Sequence, residues 1–108
     1  VYEGGVHSEG FIRHGGPFAV GARTDALVSN LDFAPTLLAL AGVDAPGARF
    51  DGKSVVPVLC GKKKQVHDAL FFELGFVRAV IRNGWKYIAL RYPEPIAHMP
   101  RAARQRAL

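Results

Sequence analysis

A chain of 108 residues holds one small domain or a part of a larger one. Its 49% hydrophobic share excludes a disordered tail, and no apolar run approaches the length needed to span a bilayer, so no membrane partner is expected. The net charge of +5 is concentrated: Arg101, Arg104 and Arg106 carry no acid beside them, while the rest of the chain is nearly balanced.

The opening Val1-Tyr2-Glu3-Gly4-Gly5 has no initiator Met, basic n-region or apolar h-region, so it reads as the interior of a longer chain. Cys60 is the single cysteine, which excludes an internal disulfide and a cysteine-based zinc site. Gly and Pro are frequent, so short elements and much loop are expected.

Residues 1–10 read as irregular, with Gly4-Gly5 marking a turn or a close backbone approach. Phe11-Ile12-Arg13 suggests a short buried strand, ended by His14-Gly15-Gly16-Pro17, with Arg13 pairing inside the fold. Residues 18–23 form a loop. The clearest helix follows: Asp32 is expected to cap it, and Pro35 falls in the first turn, where no N–H is needed. Phe33, Leu37, Leu40 and Ala41 share one face, and Gly42 is the expected left-handed terminator. So short a helix needs a surface to cover that face.

Residues 43–53 read as loop, with turn signals at Pro46-Gly47 and Asp51-Gly52. Residues 54–59 are short and apolar, and Pro57 argues against a central strand. Residues 61–65, with Lys62-Lys63-Lys64, shift composition and mark the one internal boundary.

Beyond it the period becomes two. Residues 69–73 read as a strand, and residues 77–82 and 85–91 as two more joined by Asn83-Gly84. Asn-Gly is the favoured type I′ hairpin loop, because both positions take positive φ. The turn predicts the pairs Arg82–Trp85, Ile81–Lys86, Val80–Tyr87 and Ala79–Ile88. One face then carries Val77, Ala79, Ile81, Ile88 and Leu90. The other carries Arg78, Val80, Arg82, Trp85 and Tyr87, with Arg82 expected on the Trp85 ring and the two aromatics packed as a sheet face. Pro93, Pro95 and Pro100 predict an extended connector over 92–100, and residues 101–108 the start of a helix.

His7, His14, His67 and His98 show no metal-ligand spacing, and no phosphate-loop, dinucleotide, Gly-x-Ser-x-Gly or calcium-loop motif occurs. Asp25, Asp32, Asp44 and Asp51 read as caps and turns, His67 and His98 as surface, and Cys60 as an inert thiol. A free-standing basic module that binds nucleic acid through Lys62–Lys64 and Arg101–Arg106 is the non-catalytic alternative. The wide separation of those charges and the lack of interleaved aromatics argue against it. From chemistry alone the chain reads as a piece of a soluble α+β domain.

Several segments add to this reading. Tyr2-Glu3-Gly4-Gly5-Val6-His7 resembles the Y-E-G-G-x-R segment of sulfatases, in the alkaline-phosphatase-like superfamily. Phe11–Gly16 is similar to the apolar strand ending R-W-P-G, and Val28–Val43 to the helix V-S-x-x-D-L-x-P-T-L-L-x-L-A-G-V. Asp51–Gly61 is similar to D-G-x-S-L-x-P-L-L-x-G. Leu70–Glu73 and Arg78–Tyr87 resemble the late L-F-F-E strand and the R-x-V-R-x-G-x-W-K-Y hairpin.

The resemblance spans residues 2–87 in family order. It implies a parent of α/β sandwich fold with a small C-terminal antiparallel subdomain. Residues 1–61 would be the last part of the catalytic domain, and 62–108 a truncated part of that subdomain. It implies sulfate-ester hydrolysis by the parent, using calcium and a formylglycine made from Cys or Ser in C/S-x-P-x-R. The nucleophile, the Asp and Asn calcium ligands and a sulfate-contacting lysine would all precede Tyr2. The chain alone would carry no catalytic or metal residue. Tyr2, Glu3 and His7 are the candidates for the edge of the sulfate pocket.

His7 stands where the family usually has Arg, and Glu9 where it usually has Pro, so the substrate class stays open. A phosphate or phosphonate monoester hydrolase of the same superfamily is the enzymatic alternative. The expected partner is the rest of the parent chain, with self-association through the uncovered apolar faces.

Overall fold

The computed structural model describes residues 2–16, 18 and 20–106, with the backbone alone at 105. Val1, Pro17, Ala19, Ala107 and Leu108 lie outside the described residues, and with them parts of the expected opening, the loops at 14–17 and 18–23, and the terminal helix. The architecture is α+β: short helices and a three-stranded antiparallel sheet. The chain divides into two compact units, residues 10–70 and residues 1–9 with 71–108.

In the unit of residues 10–70 the main element is a helix, preceded by a 3₁₀ turn at Asn30–Asp32. Ser29, and not Asp32, caps that turn: its Oγ accepts from the Leu31 amide at 3.3 Å, while the Asp32 carboxylate accepts from the Ser29 amide at 2.8 Å. Asp32 makes no side-chain cap to the helix that follows, because its oxygens are already engaged. That helix, α1 (Phe33–Ala41), ends as expected at Gly42, with φ 65° and ψ 22°. Val43 N donates to Leu38 O at 3.0 Å and Gly42 N to Ala39 O at 3.4 Å, a Schellman closure. Phe33 and Leu37 on the apolar face are exposed.

The apolar stretch 54–59 becomes a helical turn, α2 (Val56–Leu59). Pro57 lies in the first turn, where its missing N–H leaves no bond unmade. Val55 and Val58, three residues apart, are buried. Phe11-Ile12-Arg13 forms no strand, and all three side chains are exposed, so Arg13 does not pair inside the fold.

In the other unit, residues 3–6 form a single helical turn, αN (Glu3–Val6), where an irregular segment was expected. Gly4 and Gly5 sit in that turn with open space about them, so no close backbone approach requires them. The sheet runs in the order β1 (Ala69–Leu74), β2 (Val77–Arg82), β3 (Trp85–Leu90), and its first two residues belong to the other unit. The β2–β3 register is the one the turn predicts: Arg82 opposite Trp85, Ile81 opposite Lys86, Val80 opposite Tyr87, Ala79 opposite Ile88. Asn83 and Gly84 take φ 50° and 76°, as a type I′ loop requires.

Ala79 is buried, whereas Trp85 and Tyr87 are exposed in this chain rather than packed. Among the described residues no cation stands over Trp85, where Arg82 was expected. Among the described residues, Lys86 lies over Phe72 at 5.9 Å and Arg104 over Tyr92 at 5.5 Å. The 92–100 connector contains a helical turn, α3 (Glu94–Ala97), since Pro95 also falls in a first turn. The terminal helix α4 covers Arg101–Arg106.

Candidate functional site

Among the described residues, two constellations join charged groups that lie far apart in the sequence, one in each unit. The first holds the expected pocket-edge residues. Tyr2 is extended and precedes αN, in which Gly5 N donates to Tyr2 O at 2.9 Å and His7 N to Glu3 O at 2.8 Å. This turn carries Glu3 and His7 on one side at the i, i+4 spacing, with His7 Nδ1 3.4 Å from Glu3 Oε2. Glu3 Oε1 accepts from the Lys86 ammonium on β3. The Lys86 hydrogen bond is the main influence holding the Glu3 carboxyl below its ordinary range; desolvation opposes it and His7 adds to it.

The structure thus brings Glu3 and His7 together and leaves Tyr2 exposed beside them. Lys86 was missed in the sequence. The register that Asn83-Gly84 sets places it opposite Ile81, and therefore among Val77, Ala79, Ile88 and Leu90. An ammonium on an otherwise apolar face is the signal that would have found it, because such a charge requires a partner.

The second constellation centres on Asp32, which is completely buried. Its carboxylate accepts from the Ser29 amide at 2.8 Å and the Lys53 amide at 2.7 Å. His67 Nε2 lies 2.8 and 2.9 Å from the two oxygens. An ionised carboxylate only accepts, so Nε2 is the protonated ring nitrogen. Burial pushes the Asp32 pKa up; the two amides and His67 together outweigh it, and the net direction is downward.

Thr36 extends the network: its hydroxyl donates to Asp32 O at 2.6 Å and accepts from Val55 N at 3.0 Å. Lys53 Nζ donates to Val66 O at 3.2 Å. Asp32 thus does more than complete the Ser29 capping box, and His67, expected at the surface, is largely buried against it. Gly52 makes the approach feasible, since a Cβ there would stand 2.1 Å from Leu31 O.

Among the described residues no group of three or more His, Cys, Asp or Glu side chains could hold a metal ion. The Asp32 oxygens are filled by N–H donors, which leaves them unsuited to calcium. Cys60 is a half-buried free thiol at the end of α2, outside any C-x-P-x-R pattern. No described helix is long and apolar enough to cross a membrane. Among the described residues, then, no donor set fits the calcium or the formylglycine that the resemblance implies for the parent.

A family model described as "N-sulphoglucosamine sulphohydrolase, C-terminal" matches residues 1–80. The chain is 39% identical over 103 residues to arylsulfatase A of Homo sapiens, covering 91% of this chain and 20% of that protein. It is 36% identical over 94 residues to arylsulfatase G of Mus musculus, covering 80% and 18%, and 36% identical over 72 residues to steryl-sulfatase of Homo sapiens, covering 65% and 12%. The chain thus spans a fifth or less of the length of these curated relatives. The match runs through the Tyr2–His7 turn, the Asp32 network and most of β2, and on it the chain belongs to the N-sulphoglucosamine sulphohydrolase C-terminal family, as a C-terminal portion of a sulfatase.

Proposed function

We propose that this chain serves sulfate-ester hydrolysis by forming part of the rim of a sulfatase active site, with Tyr2, Glu3 and His7 at the pocket edge. The observation that carries the reading is the continuous family match over residues 1–80, which includes the turn bearing these three residues. The geometry supports it: Glu3 is neutralised by Lys86 and touches His7, so this edge offers an imidazole and a phenol rather than an unpaired carboxylate that would repel an anion.

On this reading the nucleophile and the calcium site belong to the rest of the parent chain, and the 108 residues alone are inactive. The test is an assay of the full-length protein against aryl sulfates and phosphate and phosphonate monoesters, with the 108-residue chain in parallel. The expected result is sulfate-ester turnover by the full-length protein and none by the chain. Preference for the phosphorus esters would transfer the reading to that superfamily branch. Chelator-sensitive turnover by the isolated chain would refute the rim assignment.

A further inference from the structure

We propose that Lys86 is a positioning residue for the pocket edge: from β3 it holds Glu3, and through Glu3 it sets where Tyr2 and His7 stand. The inference rests on the reading of Tyr2 and His7 as substrate-edge residues, and it adds a residue at the far end of the chain to that site.

The argument starts with αN. It is one turn of four residues, has no side-chain cap and buries none of its residues. A single turn has little stability of its own, because nucleation costs more than one turn's hydrogen bonds return. Gly4 and Gly5 make it softer still. Neither local sequence nor packing of its own side chains therefore fixes this segment. What holds it is the Glu3 carboxylate, whose Oε1 is bonded by Lys86 and whose Oε2 faces His7.

The lysine end is the rigid one. Lys86 lies in the middle of a strand with defined register, directly opposite Ile81. Its side chain is only 16% exposed, against 63% for Glu3. A lysine so placed usually extends its ammonium to water. Here the ammonium stands 5.9 Å from the Phe72 ring centroid and on the Glu3 carboxylate, a favourable pair of partners for a largely desolvated cation. A defined strand thus anchors an undefined turn across 83 positions of sequence. Because Glu3 bridges Lys86 and His7, losing the lysine frees both the turn and the imidazole.

The experiment uses the full-length protein with Lys86→Met, Lys86→Arg and Glu3→Gln. It measures steady-state kinetics on an aryl sulfate and hydrogen exchange of a peptide covering residues 2–7. Lys86→Met should raise KM about three- to tenfold with kcat within about twofold, on the usual scale of coupling between contacting residues. Exchange at residues 2–7 should quicken, while peptides covering residues 29–59 stay unchanged. Lys86→Arg, which can still donate to Glu3, should restore both. Glu3→Gln should resemble Lys86→Met, and the double variant should be no worse than either.

An unchanged KM in Lys86→Met overturns the proposal, as does a fall in kcat and melting temperature that Lys86→Arg fails to rescue. If the wild-type protein hydrolyses no sulfate ester, the functional reading fails separately. Exchange at residues 2–7 then decides the tether by itself: unchanged exchange in Lys86→Met overturns it, and faster exchange retains it.

Discussion

His67 Nε2 sits within 2.9 Å of both carboxylate oxygens of Asp32, across 35 positions of sequence, and Asp32 has no solvent exposure. The pair joins the start of α1 to the segment just before β1. The Lys53 amide on the same carboxylate brings in the Asp51-Gly52 turn. One side chain therefore ties three separate segments of the chain together.

Asp32→Ala should destabilise the unit of residues 10–70 by about 2–5 kcal/mol, because each buried N–H left without its acceptor costs about 1–3 kcal/mol and more than one is stranded. It strands the Ser29 and Lys53 amides and the His67 ring at once. Denaturant midpoints of the wild type and the variant would measure it. A loss under about 1 kcal/mol would show that the network is incidental, being then no larger than an exposed pair.

The same carboxylate sets an acid limit. Asp32 has a folded-state pKa below its ordinary 3.8, so the unfolded chain binds the proton more readily than the folded one. The stabilisation is fully present above the ordinary value and is lost as pH falls through the lower folded value. The wild-type advantage over Asp32→Asn should hold steady from neutral pH down to the ordinary carboxylate range and then shrink. Urea midpoints from pH 6 to pH 2, on the scale where Asp titrates near about 4, would show it. An advantage that grows on acidification would contradict the sign.

Gly52→Ala should cost about 1–3 kcal/mol or more, on the scale of overpacking a filled site. Its Cβ would meet the Leu31 carbonyl oxygen at 2.1 Å and the Asp32 nitrogen at 2.7 Å, both backbone atoms that cannot turn aside. The clash would also push the Lys53 amide off Asp32. Gly47→Ala, with open space about the glycine, is the control and should change stability little. Thermal melts of the two variants compare them directly.

Gly84→Val should cost about 1–3 kcal/mol, since a β-branched side chain resists the positive φ of 76° that the turn needs. Asn83→Asp should be mild by comparison, because a short polar side chain tolerates that region. Nuclear Overhauser contacts between residues 80 and 87 would report whether the register survives.

The isolated chain should self-associate. Phe33 and Leu37 on α1 and Phe71, Trp85 and Tyr87 on the sheet are exposed, and open apolar surface of this kind drives association. Sedimentation should give a mass that rises with concentration, and charged replacement of Leu37 together with Trp85 should lower it. A concentration-independent monomer that binds no apolar dye would contradict this.

The hairpin and the end of α1 were legible from local sequence. Asn83-Gly84 and Gly42 take positive φ because of what those residues are, and the alternation and the Leu38–Val43 closure follow from it. The turns at Val56–Leu59 and Glu94–Ala97 were less so. Proline argues against a strand interior, but it is equally at home in the first turn of a helix and in an extended connector, so only packing such as that of Val55 and Val58 separates the two. The Glu3–Lys86 and Asp32–His67 pairs were not legible as pairs at all. Their partners lie 83 and 35 positions apart, and nothing in the local pattern of a charged residue names its distant partner. Asp32 fits a cap and His67 a solvated loop until the fold buries them, and burial is what makes pairing obligatory. Local backbone preference was thus written in the sequence, while the choice of which charges meet was decided by the tertiary structure, through the cost of leaving a buried charge alone.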